Sequence, residues 1–140
     1  QIALAAEVQL FDGAKELLEL LKGKMKVGLA SMNNRAVIGH LLKLHNLEGC
    51  FDVVLTVECV AKSKPEPDIF LKTAKELGVE AVRCVVFEDS IFGVKAAIAA
   101  GMGCVAVATG VYSVDELKKE KPDLVVKTLS EPKIASFVLL

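Results

Sequence analysis

The sequence lacks the features that would mark a disulfide-stapled, membrane-spanning or nucleic-acid-binding protein. Its 4 cysteines show no C-x-x-C spacing, which argues against a disulfide framework and a zinc site, so we expect reduced thiols and a cytoplasmic location. The net charge is only -1, which argues against nucleic acid or an anionic membrane as the main partner. No apolar run is long enough to span a bilayer, and no basic region with an apolar signal core opens the chain.

Apolar residues are abundant. They make up 53% of the 140 residues, so we expect one domain over residues 1–140 with a substantial core. Short apolar runs alternate with amphipathic segments, which is typical of βαβ units and predicts an α/β fold with a parallel sheet and helices on both faces. The predicted strands are residues 25–30, 51–57, 84–87, 103–108 and 124–126, and the predicted helices are one that ends near Gly23, then 35–45, 68–77, 91–100 and 114–120.

Two segments do not fit this alternation clearly. Residues 2–8 are apolar with one glutamate, and we interpret them as the end of a helix or a lead-in segment. Residues 130–140 form an apolar tail of ambiguous structure.

Polar clusters follow the predicted strands directly or within a short loop. They are Ser31 with Asn33, then Lys64, then the adjacent pair Glu88 and Asp89. In an open parallel sheet ligands bind beyond the carboxyl ends of the strands, so we expect these clusters to share one edge. An ammonium and an acidic pair at that edge predict a site for a divalent cation and a phosphate.

Each candidate residue has a functional and a plainer interpretation. Glu88 and Asp89 offer the hard oxygen ligands that suit Mg²⁺, while the alternatives are a solvated strand end and a helix cap. Lys64, which Pro65 biases toward an extended backbone, would neutralise phosphate charge, or it is an exposed lysine. Ser31 would donate its hydroxyl to a phosphate beside the N–H groups of the following helix, or it is a cap or turn residue.

These clusters recur within a larger pattern. It consists of Leu29-Ala30-Ser31-x-Asn33, Lys64-Pro65-x-Pro67-Asp68-x-Phe70, Leu77-Gly78-Val79, Cys84 to Ser90 followed by Gly93-Val94-x-Ala96-Ala97, and Ala100-Gly101-Met102. Taken together, the pattern resembles the haloacid dehalogenase (HAD) superfamily, and within it the β-phosphoglucomutase-like phosphatases with a helical cap. The resemblance covers the chain from Leu10 onward.

The resemblance implies a Rossmann-like core and a Mg²⁺-dependent phosphate monoester hydrolase or phosphomutase. Such an enzyme acts on a small phosphorylated metabolite through a phospho-aspartyl intermediate. By position, Ser31 and Asn33 would bind the phosphate. Lys64 would stabilise the nucleophile and the transferred phosphoryl group, and Glu88 and Asp89 would hold Mg²⁺.

One motif of the family has no match. The family's first motif is a strand ending in D-x-D-G that supplies the nucleophile. Asp12 precedes Gly13 but lacks a preceding strand and a second aspartate two residues on, so we interpret it as a helix cap. We therefore expect the chain to be the carboxyl-terminal part of such a protein, with residues 1–9 a remnant of the return from the cap. It would be inactive alone, and the alternative is a non-catalytic phosphate-binding or interaction module.

The missing motif also implies a missing strand. In the family that strand lies between the strands that correspond to residues 25–30 and 84–87. An empty position would expose two unpaired strand edges, and each unmade buried backbone hydrogen bond costs on the order of 1 kcal/mol or more. We expect an upstream segment, a partner chain (including a second copy in a homo-oligomer) or the tail Ile134 to Leu140 to fill it.

Overall fold

The computed structural model describes residues 3–7 and 13–139, which form one parallel sheet with helices on both faces. The elements in chain order are β1 (Ala3–Glu7), α1 (Ala14–Leu21), β2 (Lys26–Ala30), α2 (Arg35–Leu44), β3 (Val53–Leu55), α3 (Asp68–Leu77), β4 (Cys84–Glu88), α4 (Ile91–Ala99), β5 (Gly103–Val107), α5 (Val114–Lys118), β6 (Leu124–Val126) and α6 (Lys133–Leu139). Within the described ranges, every helix is too short or too polar to cross a bilayer.

The sheet has six strands in the order β3-β2-β1-β4-β5-β6, and all five pairings are parallel. The chain therefore builds outward from β1 in one direction and from β4 in the other. The order of the strands changes direction between β1 and β4, and a crevice for ligands forms at such a point in open α/β sheets. This architecture confirms the predicted α/β class and its parallel sheet.

β1 occupies the central position that was expected to lack a strand of this chain. It pairs with β2 and β4, and the register sets Glu7 level with Glu88. The interpretation of residues 2–8 as a lead-in segment or helix end is therefore wrong for Ala3–Glu7. The sheet does contain a strand at this position, as its hydrogen bonding requires. However, the filler is neither another chain nor the tail, whose residues 133–139 form α6 instead.

β4 is buried because a helical layer covers each face of the sheet. All five residues of β4 are buried, as its continuous apolar run predicted. Val86 packs into a cluster with side chains of α3, α4 and α5, whereas Val85 and Phe87 pack with α1 and α6 on the opposite face. Glu88 lies two residues after Val86, so it belongs to the face covered by α3 and α4.

The turn before α1 differs from its prediction. Asp12, interpreted as the cap of this helix, lies outside the described residues. The N-cap residue is Gly13, which has φ 86° and makes no side-chain cap hydrogen bond. A Cβ at Gly13 would lie 2.7 Å from the backbone nitrogen of Ser130. Both the positive φ and this close approach favour glycine here.

Candidate active site

The candidate site lies at the carboxyl edge of the sheet. Ser31 follows β2, Glu88 ends β4, and Asp89 follows it directly. Lys64 comes from the loop before α3 and is joined to Pro65 by a cis peptide bond. The sequence therefore correctly predicted that these residues would gather along one edge.

Lys64 is buried at the centre of this edge. Its ammonium donates to Glu88 Oε2 over 2.9 Å and, more weakly, to the carbonyl of Ala30 over 3.4 Å. The Phe70 ring lies on another side, with its centroid 4.8 Å from Nζ, which is within cation–π range. Because only 3% of the Lys64 side chain is exposed, its interpretation as a solvent-facing lysine is wrong.

Glu88 is also buried, so its interpretation as a solvated strand end is wrong. Its side chain is 1% exposed, and Oε2 forms the ion pair with Lys64. The other oxygen, Oε1, accepts from the backbone N–H of Asp89 at 3.2 Å and from the Ser90 hydroxyl at 3.3 Å. Ser90 is the N-cap of α4, as predicted, and its Oγ accepts from the Gly93 N–H at 3.0 Å.

Two glycines make room for the acidic pair, and neither was recognised from the sequence as serving it. A Cβ placed on Gly93 would overlap the carboxyl group of Glu88. A Cβ placed on Gly110 would lie 2.9 Å from Asp89 Oδ2. Each carboxylate therefore occupies the space that a side chain would otherwise fill.

Ser31 and Asn33 form a turn at the end of β2. Ser31 is fully buried, its N–H donates to the Leu55 carbonyl at 3.0 Å, and its Oγ accepts from the Asn33 N–H at 3.0 Å. The cap of α2 is Asn34, whose side chain accepts from the Val37 N–H, so Ser31 is a turn residue and not the cap. Asn33 is exposed.

Two cysteine thiols near this edge of the sheet have shifted pKa values. Burial, followed by the charges of Glu88 and Asp123, raises the pKa of the Cys104 thiol to about 12. A second cysteine, Cys59, follows β3, and a backbone hydrogen bond from Thr56 lowers the pKa of its thiol despite partial burial.

The donor set suits Mg²⁺ but supplies only part of its coordination shell. Among the described residues, there is no group of three or more His, Cys, Asp or Glu side chains that could hold a metal ion. Mg²⁺ commonly keeps several waters and takes one or two carboxylates, so Glu88 and Asp89 meet its minimum requirement. Nearby, the buried Thr109 hydroxyl has no hydrogen-bond partner within the described ranges, which leaves a polar group for a ligand's water shell.

Sequence reasoning missed three residues of this edge. Phe70 was part of the family pattern, but its contact with Lys64 depends on tertiary packing. Thr109 follows β5 and carried no signal of its own. Glu7 ends β1 in register with Glu88, and it was missed because residues 2–8 were not expected to form a strand.

Comparison with known proteins identifies the family of this chain. A family model described as haloacid dehalogenase-like hydrolase matches residues 1–101. The chain is 45% identical over 101 residues to the chloroplastic protein SUPPRESSOR OF QUENCHING 1 of Arabidopsis thaliana, covering 71% of this chain and 10% of that protein. It is 40% identical over 85 residues to fructose-1-phosphate phosphatase YqaB of Escherichia coli, covering 61% of this chain and 45% of that protein.

Solved structures carry the same fold. A HAD hydrolase of family IA, variant 3, from Entamoeba histolytica superposes with a TM-score of 0.81 at 34% identity, covering 91% of this chain and 58% of that one. The chain thus spans less than two thirds of the length of each of these three proteins. The matched residues include the first four strands, the Lys64 loop and the acidic pair, and on this basis the chain belongs to the haloacid dehalogenase-like hydrolase family.

Proposed function

We propose that this chain is the phosphate- and cation-binding core of a Mg²⁺-dependent phosphate monoester hydrolase or phosphomutase. The observation that carries the proposal is the Lys64 ammonium, held 2.9 Å from Glu88 and shielded from water at the carboxyl edge of the sheet. A buried cation beside the turn that holds Ser31 is suited to neutralise the charge of a transferring phosphoryl group. The similarity to a fructose-1-phosphate phosphatase supports a small phosphorylated metabolite as the substrate class.

Each residue has a proposed role. Ser31 and Asn33 bind the phosphate through the turn after β2, and Lys64 neutralises its charge. Glu88 and Asp89 hold Mg²⁺, which would supply Lewis-acid stabilisation of phosphate charge when bound. None of these residues is the aspartate that would form the covalent intermediate.

The proposal includes inactivity of these 140 residues alone. A phospho-aspartyl mechanism requires a nucleophilic aspartate at the carboxyl end of the central strand, and β1 ends there in Glu7. The absence of an aspartate at the end of β1 also favours the second candidate function, a non-catalytic module that binds phosphate groups. Both candidates place the anion beside Lys64. They differ in whether a longer form of the protein hydrolyses or transfers the phosphate group.

Calorimetric titration with inorganic phosphate in the presence of Mg²⁺ tests the shared part of the proposal. The chain should bind phosphate, the Lys64→Ala variant should not, and the matched Lys62→Ala variant should bind like the parent, since Lys62 is exposed. Binding that survives Lys64→Ala would overturn the assignment of the site. Hydrolysis of p-nitrophenyl phosphate by the 140-residue chain, abolished by Lys64→Ala, would overturn its inactivity and the non-catalytic alternative together.

A further inference from the structure

A carboxylate of this chain occupies the start of α2. Glu58 accepts from the Arg35 N–H through both oxygens, over 3.1 and 3.2 Å, and Arg35 is the first residue of the helix. The Asn34 side chain accepts from the Val37 N–H at 2.9 Å. Negative charge is favoured at a helix start, and the N–H groups there commonly bind phosphate. In this structure the chain itself supplies that negative charge.

Backbone hydrogen bonds hold Glu58 beside the proposed phosphate site. The Ser31 N–H donates to the Leu55 carbonyl at 3.0 Å, and the Val57 N–H donates to the Asn33 carbonyl at 3.1 Å. The segment that leads into Glu58 is therefore bonded along the turn that contains Ser31 and Asn33. A phosphate bound at this turn would have the Glu58 carboxylate as a neighbour.

The charge of Glu58 acts on any anion at this turn. Hydrogen bonds from the Thr56 side chain and then from the Arg35 N–H lower the pKa of the Glu58 carboxyl, so this group is ionised at neutral pH. Because Glu58 is exposed, water and salt screen its field, and one such charge at a helix start changes affinity by about 2- to 5-fold. A second negative group on the ligand adds to the repulsion, whereas a positive group offsets it.

We propose that Glu58 is a specificity-determining residue that favours phosphate monoesters whose organic part carries no negative charge near the phosphate. The inference rests on the proposed function, because it assumes that the phosphate binds at the Ser31 turn. A Glu58 that served only as a helix cap would leave the charge preference for ligands unchanged when a neutral acceptor of the same shape replaced it. Glutamine is such an acceptor, because its amide oxygen can still accept from the Arg35 N–H.

The experiment compares ethyl phosphate, O-phosphoethanolamine and 2-phosphoglycolate, which carry a neutral, a positive and a negative group on the same two-carbon body. Calorimetry at low ionic strength with Mg²⁺ measures the affinity of each for the parent chain and for Glu58→Gln. The preference for O-phosphoethanolamine over 2-phosphoglycolate should fall by about 2- to 5-fold in Glu58→Gln, with ethyl phosphate between them. Glu58→Asp keeps the charge and should keep the preference. Glu48→Gln removes an exposed charge before β3, at the opposite edge of the sheet, and should match the parent.

A preference that is the same in folded Glu58→Gln as in the parent would overturn the inference and leave Glu58 as a helix cap only. If circular dichroism finds Glu58→Gln unfolded, the second neutral variant, Glu58→Asn, decides by the same ratio of affinities. A parent chain that binds none of the three ligands would overturn the proposed function itself. Binding of all three with a preference that does not depend on Glu58 would overturn this inference alone.

Discussion

Replacing Gly93 by alanine tests whether the space above this residue is reserved for Glu88. In an ordinary helix position, Gly→Ala stabilises by about 0.5–1 kcal/mol. At Gly93, the new Cβ overlaps the Glu88 carboxyl group. Overpacking costs about 1–3 kcal/mol, and breaking a buried ion pair by losing one partner costs about 3–5 kcal/mol. Because Glu88 can shift only by weakening its bond to Lys64, we expect a net loss of about 2–4 kcal/mol in unfolding free energy.

The assay is urea unfolding followed by circular dichroism, and Gly39→Ala is the matched control. Gly39 lies within α2 and has nothing within 4 Å of an added Cβ, so this variant should gain about 0.5–1 kcal/mol. The Gly93→Ala substitution should also cost much less in a Glu88→Ala background, where the overlapping group is gone. If Gly93→Ala unfolds at the same urea concentration as Gly39→Ala, the reasoning about this contact is refuted.

Two further predictions concern the same edge of the sheet. Gly110→Ala places a Cβ 2.9 Å from Asp89 Oδ2 and should displace this carboxylate. We therefore expect Mg²⁺ binding to weaken by roughly 10-fold, as for the loss of a residue that orients a metal ligand. Calorimetry that gives the parent affinity would refute this prediction. Iodoacetamide should label Cys59 at lower pH than an ordinary thiol, because the Thr56 hydrogen bond lowers its pKa and the thiolate reacts. Buried Cys104, with its pKa raised to about 12, should be labelled only after unfolding. Mass spectrometry of the labelled peptides measures which cysteine reacts first, and labelling of Cys104 before Cys59 would refute the prediction.

The strength of local signals explains which elements the sequence predicted. The boundaries of α3 and β6 agree with the prediction, and β4 differs only by including Glu88 as its last residue. Each has an unambiguous pattern: an amphipathic helix closed by a glycine, or a short apolar run. The edge strand β3 is shorter than predicted, since only Val53–Leu55 pair with β2 before Thr56 begins a short 3₁₀ turn.

β1 was not predicted because its strand conformation depends on pairing with β2 and β4 and not on its own sequence. Its sequence, ALAAE, contains no β-branched or aromatic residue, and three of its five positions are alanine, which favours helices. Hydrogen bonding from the open edges of β2 and β4 overrides that preference. Propensity within a five-residue window carries no information about such long-range pairing.

The gathering of the candidate residues at one edge was predictable from the sequence, but their contacts with one another were not. Residue type and position after a strand identified Lys64, Glu88 and Asp89. Their pairing was not predictable, because the sequence was interpreted as assigning Lys64 to phosphate and Glu88 to the metal. The direct ion pair between them depends on how the Lys64 loop folds over the edge, which no local pattern specifies.

The position of β1 has a consequence for the order of folding events. On one side of it, β2 and β3 pair as neighbours in sequence, and on the other side β4, β5 and β6 do the same. Within the sheet, the two halves meet only through β1, whose pairing with β4 joins Ala3 to Cys84. Distant pairings form slowly because they must first overcome loop-closure entropy. We therefore expect each half to assemble early and the insertion of β1 to come late, so that one five-residue strand governs how fast the protein folds.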